Sequence, residues 1–345
     1  GLTPLHFAAL VGDAEITEFF LSRGADPNAL SHYGETPLHF ALSKSIQGSK
    51  YRDAWNKPRW RLENLWDVVE FYDEEVQDEV ATQITKTRRA VAETLLRDNK
   101  TNVMLQDAKG LSLLHTINYT ELDPSHVVRS LIQKWARVTA RNLKGQTALH
   151  LASLAGHLDT VKALLSQGSV IEIADDEGRT VLHYAAKSRN TQIVISILGA
   201  YQGDVPDFLN IRDSVGRNAL HHLVGDSCFV QFDIMRTLLN LGANTNNTDD
   251  YGNSPLAHYL SQCRFFTDLS IYQLLLSHGT RAKSVNKAGK TLAELYAMYG
   301  EVDIKVLQLL KDYDVDIDKT NSKGMNLLHT ITLRGSLTEE ALIYL

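Results

Sequence analysis

Thirteen histidines in a chain of 345 residues are the first candidates for chemistry, because imidazole is a general base, proton shuttle and metal ligand near neutral pH. Seven of them, His6, His39, His115, His150, His183, His221 and His329, close a recurring hexapeptide that reads GLTPLH at 1, GETPLH at 34 and GQTALH at 145. A catalytic group is not normally copied seven times, and buried polar groups need partners. These imidazoles are therefore expected to be structural, hydrogen-bonding backbone groups across unit boundaries. His222 follows His221 directly, and neighbouring side chains on a helix point apart, so the pair is no chelate. Cys228 and Cys263 are too few for a disulfide scaffold or a four-cysteine zinc site. They fall at nearly equivalent places in consecutive units; stacked helices lie about 8–10 Å apart, too far for a bridge, so free thiols are expected. No phosphate loop, nucleophile elbow, zinc-protease helix or calcium loop occurs. No convergent acid, base and nucleophile set emerges, so catalytic residues, metal and cofactor are all expected to be none.

A second feature is the stretch WNKPRWRLENLW at 55–66, which holds three of the four tryptophans. Residues 44–61 carry Lys44, Lys50, Arg52, Lys57, Arg59 and Arg61 against Asp53, and residues 62–79 carry eight acids and no base. Basic aromatic sequence can contact phosphate and stack on bases, which makes nucleic-acid binding by residues 50–61 the alternative reading. The acidic block and the net charge of −6 oppose it, because no broad attraction to phosphate or anionic lipid results. Leu62, Leu65, Trp66 and Val69 follow helical spacing, continued by Val76, Val80, Ile84, Val91 and Leu95. That stripe is expected to pack inward. Trp55 and Trp60 flank Pro58 outside the stripe and are candidate partner contacts. No apolar run suits a spanning helix and no basic stretch precedes an apolar one at the N-terminus, so an intracellular setting, cytoplasm or nucleus, is expected.

The elements that position these residues come from an internal repeat. The hexapeptide glycines stand at 1, 34, 110, 145, 178, 216, 252, 289 and 324, at intervals of 33 to 38 except for one of 76. A fixed period of this size means stacked supersecondary units, and the long interval means one unit with an insertion. Three residues before each of the last eight glycines stands Ser, Asp or Asn (Ser31, Asp107, Asn142, Asp175, Asp213, Asp249, Asn286, Asn321). Such side chains open turns, and glycine closes them. Next come a capping Thr, Ser or Asn, a short apolar helix, a polar break and a second helix patterned at i, i+3, i+4, as in ITEFFL from 16 and VKALL from 161.

With TPLH repeated in register, RGADPN at 23 and AGHLDTVKALLSQG at 155, the chain resembles the ankyrin repeat family. The resemblance implies an all-α repeat solenoid of about nine helix-turn-helix units with hairpin loops, running at about 1–30, 31–106, 107–141, 142–174, 175–212, 213–248, 249–285, 286–320 and 321–345. A helical insertion at about 45–86 sits inside the second. It also implies a non-catalytic protein-interaction module, a scaffold or sensor that binds protein partners through hairpin tips and the concave helix face. The first unit matches an internal one and the last stops within a second helix, so flanking repeats or domains of the same chain are expected. A fainter similarity is to ankyrin arrays of fungal NACHT-type multidomain proteins. Specificity is expected where the units differ at exposed, equivalent places: Tyr33, Glu35, Arg179, Arg217, Tyr251, Lys287, Lys290 and Lys323 at the tips, and Trp55 and Trp60 in the insertion. Tyrosine suits an anchoring role, and the basic last tips favour an acidic segment.

Overall fold

The computed structural model describes all residues except 44–73, 118–123, 226–229, 263–268, 300–302, 316, 318–319, 321–323 and 335–345. Cys228, Cys263, Lys323 and the tryptophans at 55, 60 and 66 lie outside the described residues. The described part is helical: eighteen helices and two isolated bridges, Gln106 with Ser112 and Val285 with Thr291. It divides into two compact units, residues 1–152 with 157–170, and residues 153–156 with 171–345.

The first unit contains α1 (Pro4–Val11), α2 (Ala14–Ser22), α3 (Pro37–Leu42), α4 (Glu74–Arg97), α5 (Leu113–Thr116), α6 (Ser125–Gln133), the start of α7 (Ala148–Ala155) and α8 (Leu158–Ser166). In the second unit lie α9 (Val181–Ala186), α10 (Thr191–Ala200), α11 (Val205–Leu209), α12 (Ala219–Gly225) and α13 (Phe232–Asn240). It continues through α14 (Pro255–Gln262), α15 (Leu269–Ser277), α16 (Leu292–Tyr299), α17 (Ile304–Asp312) and α18 (Leu327–Arg334). The first helix of one repeat packs on the first helix of the next, α1 on α3 and then α9, α12, α14, α16 and α18 in succession. The second helices form a layer behind them, as in α13 on α10 and α17 on α15.

The first helices start with a reciprocal cap, except α14, where Ala257 stands at the third helical position. In α1, α3, α5 and α9 a Thr or Ser N-cap faces a histidine at the third helical position, whose ring returns to the N-cap backbone. Histidine thus takes the role that Glu or Gln has in the usual capping box. Glu294 keeps the ordinary arrangement, accepting from Thr291 N at 2.9 Å.

The insertion ends in α4, a 24-residue helix whose last part stands where a second helix belongs. Val91, Ala92 and Leu95 are fully buried there, and α4 packs on α1, α2 and α3. Arg88 is buried with them: its Nε donates to Leu10 O at 3.0 Å and one terminal nitrogen to Ser43 O at 3.1 Å. Both carbonyls belong to the ends of first helices, where acceptors lack intrahelical donors. The extra turn α11 was not anticipated. Asp204 caps it and Pro206 lies in its first turn, which accounts for the 38-residue interval between Gly178 and Gly216.

Candidate interaction surface

Seven hairpin tips share one construction. At the root of each, a Ser, Asp or Asn oxygen accepts from the backbone N–H groups two and four residues on. Asp107 does so with Lys109 and Leu111 at 2.8 Å each, Asp213 with Val215 at 3.0 Å and Arg217 at 2.8 Å, and Asp249 with Tyr251 at 2.9 Å and Asn253 at 2.8 Å. Ser31, Asn142, Asp175 and Asn286 repeat the pattern. Within each unit, one backbone hydrogen bond stitches each tip to the next. In the first unit Ala108 N donates to Tyr33 O (2.7 Å) and Leu143 N to Lys109 O (3.1 Å); in the second, Ser214 N donates to Glu177 O, Asp250 N to Val215 O and Lys287 N to Tyr251 O, at 2.8–2.9 Å. The turn glycines have φ of 71–80°, a region that costs residues with a Cβ. At Gly110 a Cβ would also stand 2.9 Å from Leu143 N.

Behind the tips runs the histidine row. Nδ1 of His6, His39, His115, His183 and His221 accepts from its own N-cap N–H at 3.0–3.2 Å. Nε2 then faces a carbonyl of the following repeat: Glu35 O at 3.1 Å, Leu111 O at 3.3 Å, Gln146 O at 2.9 Å, Arg217 O at 3.2 Å and Asn253 O at 3.0 Å. A nitrogen that accepts from N–H carries no proton, so the neutral ring holds its proton on Nε2 and donates it to the carbonyl. Glutamate caps as well but has nothing to donate, and this explains why histidine recurs. Burial pushes His183 and His221 down to about 4 and lowers His6, His39 and His115, keeping the rings neutral. His150 is buried in the same row, whereas His329, with Asn326 as its cap partner, is exposed.

In the second unit the residue after the row position reaches the tip root. Tyr184 Oη donates to Asp175 Oδ2 at 2.6 Å, and His222 Nε2 to Asp213 Oδ2 at 2.8 Å. His258 Nδ1 stands 3.8 Å from Asp249. Burial acts to raise the Asp213 carboxyl, but hydrogen bonds from His222 and Arg217 outweigh it and hold the group below the usual carboxylate range. Burial lowers His222. Adjacent histidines thus have different structural partners, and among the described residues no group of three or more His, Cys, Asp or Glu could hold a metal ion.

This wiring separates the candidate contacts. Arg179 turns back onto its own tip, with Nε and a terminal nitrogen each 2.9 Å from Asp175 Oδ2, another 2.9 Å from Glu177, and the Tyr184 ring beneath its guanidinium. Arg217 likewise meets Asp213 at 3.1 Å. Tyr33 and Lys287 project as exposed tip residues, and Tyr251 does so with 72% of its surface accessible. Glu35 and Lys290 are half-buried. Two strongly exposed side chains were not anticipated: Leu143 (74%) at a first-unit tip and Trp135 (82%) after α6. The signal for Trp135 was available, since it stands where RG, QG, LG and HG place glycine after other second helices.

Models of ankyrin repeats match residues 81–175 and 119–207 as three-copy segments and residues 1–41 as a many-copy segment. The chain is an ankyrin-repeat array. It is 25% identical to human transient receptor potential cation channel subfamily A member 1 over 348 residues, covering 97% of the array and 29% of that protein. Human inversin is 26% identical, over 68% of the array and 18% of its own length. The E3 ubiquitin-protein ligase KEG of Arabidopsis thaliana is 31% identical, over 52% and 10%. The array thus spans between about a tenth and three tenths of these relatives. The solved ankyrin repeat domain of Bcl-3 aligns with a TM-score of 0.47 at 22% identity, covering 74% of the array and 93% of that chain. Nothing in these matches supports the NACHT-type similarity. Ankyrin-repeat domains are generally non-catalytic protein-interaction modules of larger proteins. Among the described residues no helix is long and apolar enough to cross a membrane.

Proposed function

We propose that the array is a non-catalytic protein-interaction module, the scaffold or sensor part of a larger intracellular protein, which engages a protein partner through its hairpin tips. One observation carries this reading: seven tips have identical roots but different exposed residues. Asx or Ser bonds, the stitching bonds and the histidine row fix the backbone, so side chains such as Tyr251 and Lys287 are displayed without ordering a loop on binding, a cost that flexible surfaces incur. Arg179 and Arg217 support the display through their own turns, and Tyr33, Tyr251 and Lys287 offer the contacts. In the insertion, Trp55 and Trp60 stay candidates on sequence grounds.

The first repeat offers a further docking face. Phe7 is 38% exposed, while Phe40 at the same place in the next repeat is 4% exposed and stacks edge-on against His6. Beside Phe7, an open apolar hollow of about 370 Å³ is lined by Pro4, Val11, Ile16 and Phe20. It suits a further repeat of the same protein, because a repeat buries its apolar face only against a neighbour.

The test is partner capture by the immobilised array, by a Tyr33→Ala/Tyr251→Ala form, and by a form lacking residues 45–84. Loss of a partner on tip substitution, with the fold retained, supports binding by the tips. Equal capture by all three forms removes both tips and insertion from recognition. A single-stranded oligonucleotide bound with steep salt dependence would instead favour the nucleic-acid reading.

A further inference from the structure

Residues 124–158 contain no acidic side chain, although the chain as a whole carries 41 acids against 35 bases. Within that span lie Arg129, Lys134, Arg137, Arg141 and Lys144. The stretch 134–144 leads from the end of α6 to the tip at 143 and exposes Trp135, Arg137, Arg141, Leu143 and Lys144.

Trp135 is the unusual member. Its N–H donates to Ile132 O and the next N–H to Leu131 O, closing α6 just as Gly24 and Ala25 close α2. This closure needs a left-handed residue: Gly24, Gly168, Gly242 and Gly279 take it with φ of 79–98°, and Trp135 with φ of 74°. A bulky side chain in this region is unfavourable, and outliers of this kind cluster at functional sites. Trp135 recovers little by burial, being 82% exposed. Among the described residues, burial supplies no reason for tryptophan there.

The surroundings define the ligand. The stretch is tied to its neighbours at three places, one side-chain and two backbone groups: Lys134 Nζ donates to Asp98 O (3.0 Å), Gln106 Nε2 to Arg141 O (3.3 Å), and Leu143 N to Lys109 O (3.1 Å), which adds the exposed Lys109 to the strip. Two apolar anchors, Trp135 and Leu143, are thus separated by basic groups on a fixed frame. We propose that residues 134–144 bind an acidic protein segment bearing apolar side chains, with Trp135 as its anchor. Trp135 is the sole aromatic residue in 124–158, whereas single-stranded nucleic acid is held by several aromatics on which successive bases stack. The proposal deepens the interaction-module reading by naming one segment and one ligand chemistry.

The probe is a short fluorescein-labelled peptide in which Asp and Glu alternate with Leu and Phe, titrated with the full chain and read by anisotropy. Beside it run an Asn/Gln version of the peptide and an oligo-dT. The variants are Trp135→Gly, which places the residue that this backbone conformation favours, and Arg137→Gln/Arg141→Gln, each checked for native circular dichroism. Expected is binding of the acidic peptide, weakened roughly tenfold or more by either variant and by amide replacement. Unchanged affinity in Trp135→Gly, no binding of the acidic peptide, equal binding of both peptides, or tighter binding of oligo-dT would overturn the proposal. Partner loss in the Tyr33→Ala/Tyr251→Ala form is scored separately, so this inference can fail while the module reading stands.

Discussion

Replacing Gly110 by alanine tests whether the tips are stabilised by one another or only by their own turns. Gly110 has φ of 72°, and an added Cβ would stand 2.9 Å from Leu143 N and 3.2 Å from the Cα of Asn142. A Cβ in the left-handed region costs about 1 kcal/mol. Relief of the clash requires Leu143 to retreat, which stretches the bond to Lys109 O, worth about 1 kcal/mol. Gly24→Ala is the control within the same unit: its φ is 84°, but nothing lies within 4 Å of its Cβ position. Both substitutions restrict the unfolded chain equally, by about 0.4–1 kcal/mol in favour of alanine, so that contribution cancels in the comparison. The left-handed cost is common to both variants and cancels as well, so Gly110→Ala should be less stable than Gly24→Ala by about 1 kcal/mol, the value of the stretched bond. The second unit repeats the test with Gly252, whose Cβ would meet Lys287 N at 2.8 Å, against Gly279, with nothing within 4 Å. Urea unfolding followed by circular dichroism measures the difference as a midpoint shift. Equal shifts within either pair would refute the idea that adjacent tips brace each other.

Three other outcomes are expected. His115→Ala strips a buried cap partner from Ser112 N and a donor from Gln146 O, and urea titration should show a loss of about 2–4 kcal/mol; a loss below 0.5 kcal/mol, about the size of a neutral surface change, would mean the row is dispensable. Burial sets His183 and His221 at about 4 against about 6.5 in the unfolded chain. Between these values only the unfolded state takes up protons, so the stabilisation is complete above about pH 6.5 and falls as pH drops towards 4. At about pH 5 each site should cost about 2 kcal/mol, and a His183→Gln/His221→Gln form should show a flatter pH profile of urea midpoints. Tyr251→Ala removes a side chain that is 72% exposed, so stability should move by no more than about 0.5 kcal/mol while partner capture falls; a large midpoint shift would identify Tyr251 as structural.

Much of the fold was legible because each repeat writes its own instructions locally. Thr-Pro-Leu-His sets the start of a helix, Asx and glycine set a turn, and the period sets the stacking, all within about 33 residues. Val91 and Leu95 could be assigned to the interior from helical spacing alone. Arg88, one position among the charges of TKTRRAVAETLLRD, could not, because its two carbonyl partners at Leu10 and Ser43 are 78 and 45 residues away.

The candidate surface divides in the same way. Sequence by itself determined that positions 33, 179, 217, 251 and 287 sit at tips, since they are counted from a turn glycine. It did not determine which of these side chains are available. Arg179 and Tyr251 look equally suited to a partner, but an arginine four residues after the root aspartate reaches that carboxylate, and a tyrosine two residues after it faces solvent. Phe7 and Phe40 occupy the same place in TPLHF and differ in exposure because one has a repeat stacked beyond it. At Trp135 the deciding fact was backbone conformation: helix closure demands a left-handed residue there, and the surrounding structure leaves the indole in solvent. Local sequence fixes which conformation is cheap. Burial, charge pairing and exposure depend on neighbours that only the folded chain brings within a few ångströms.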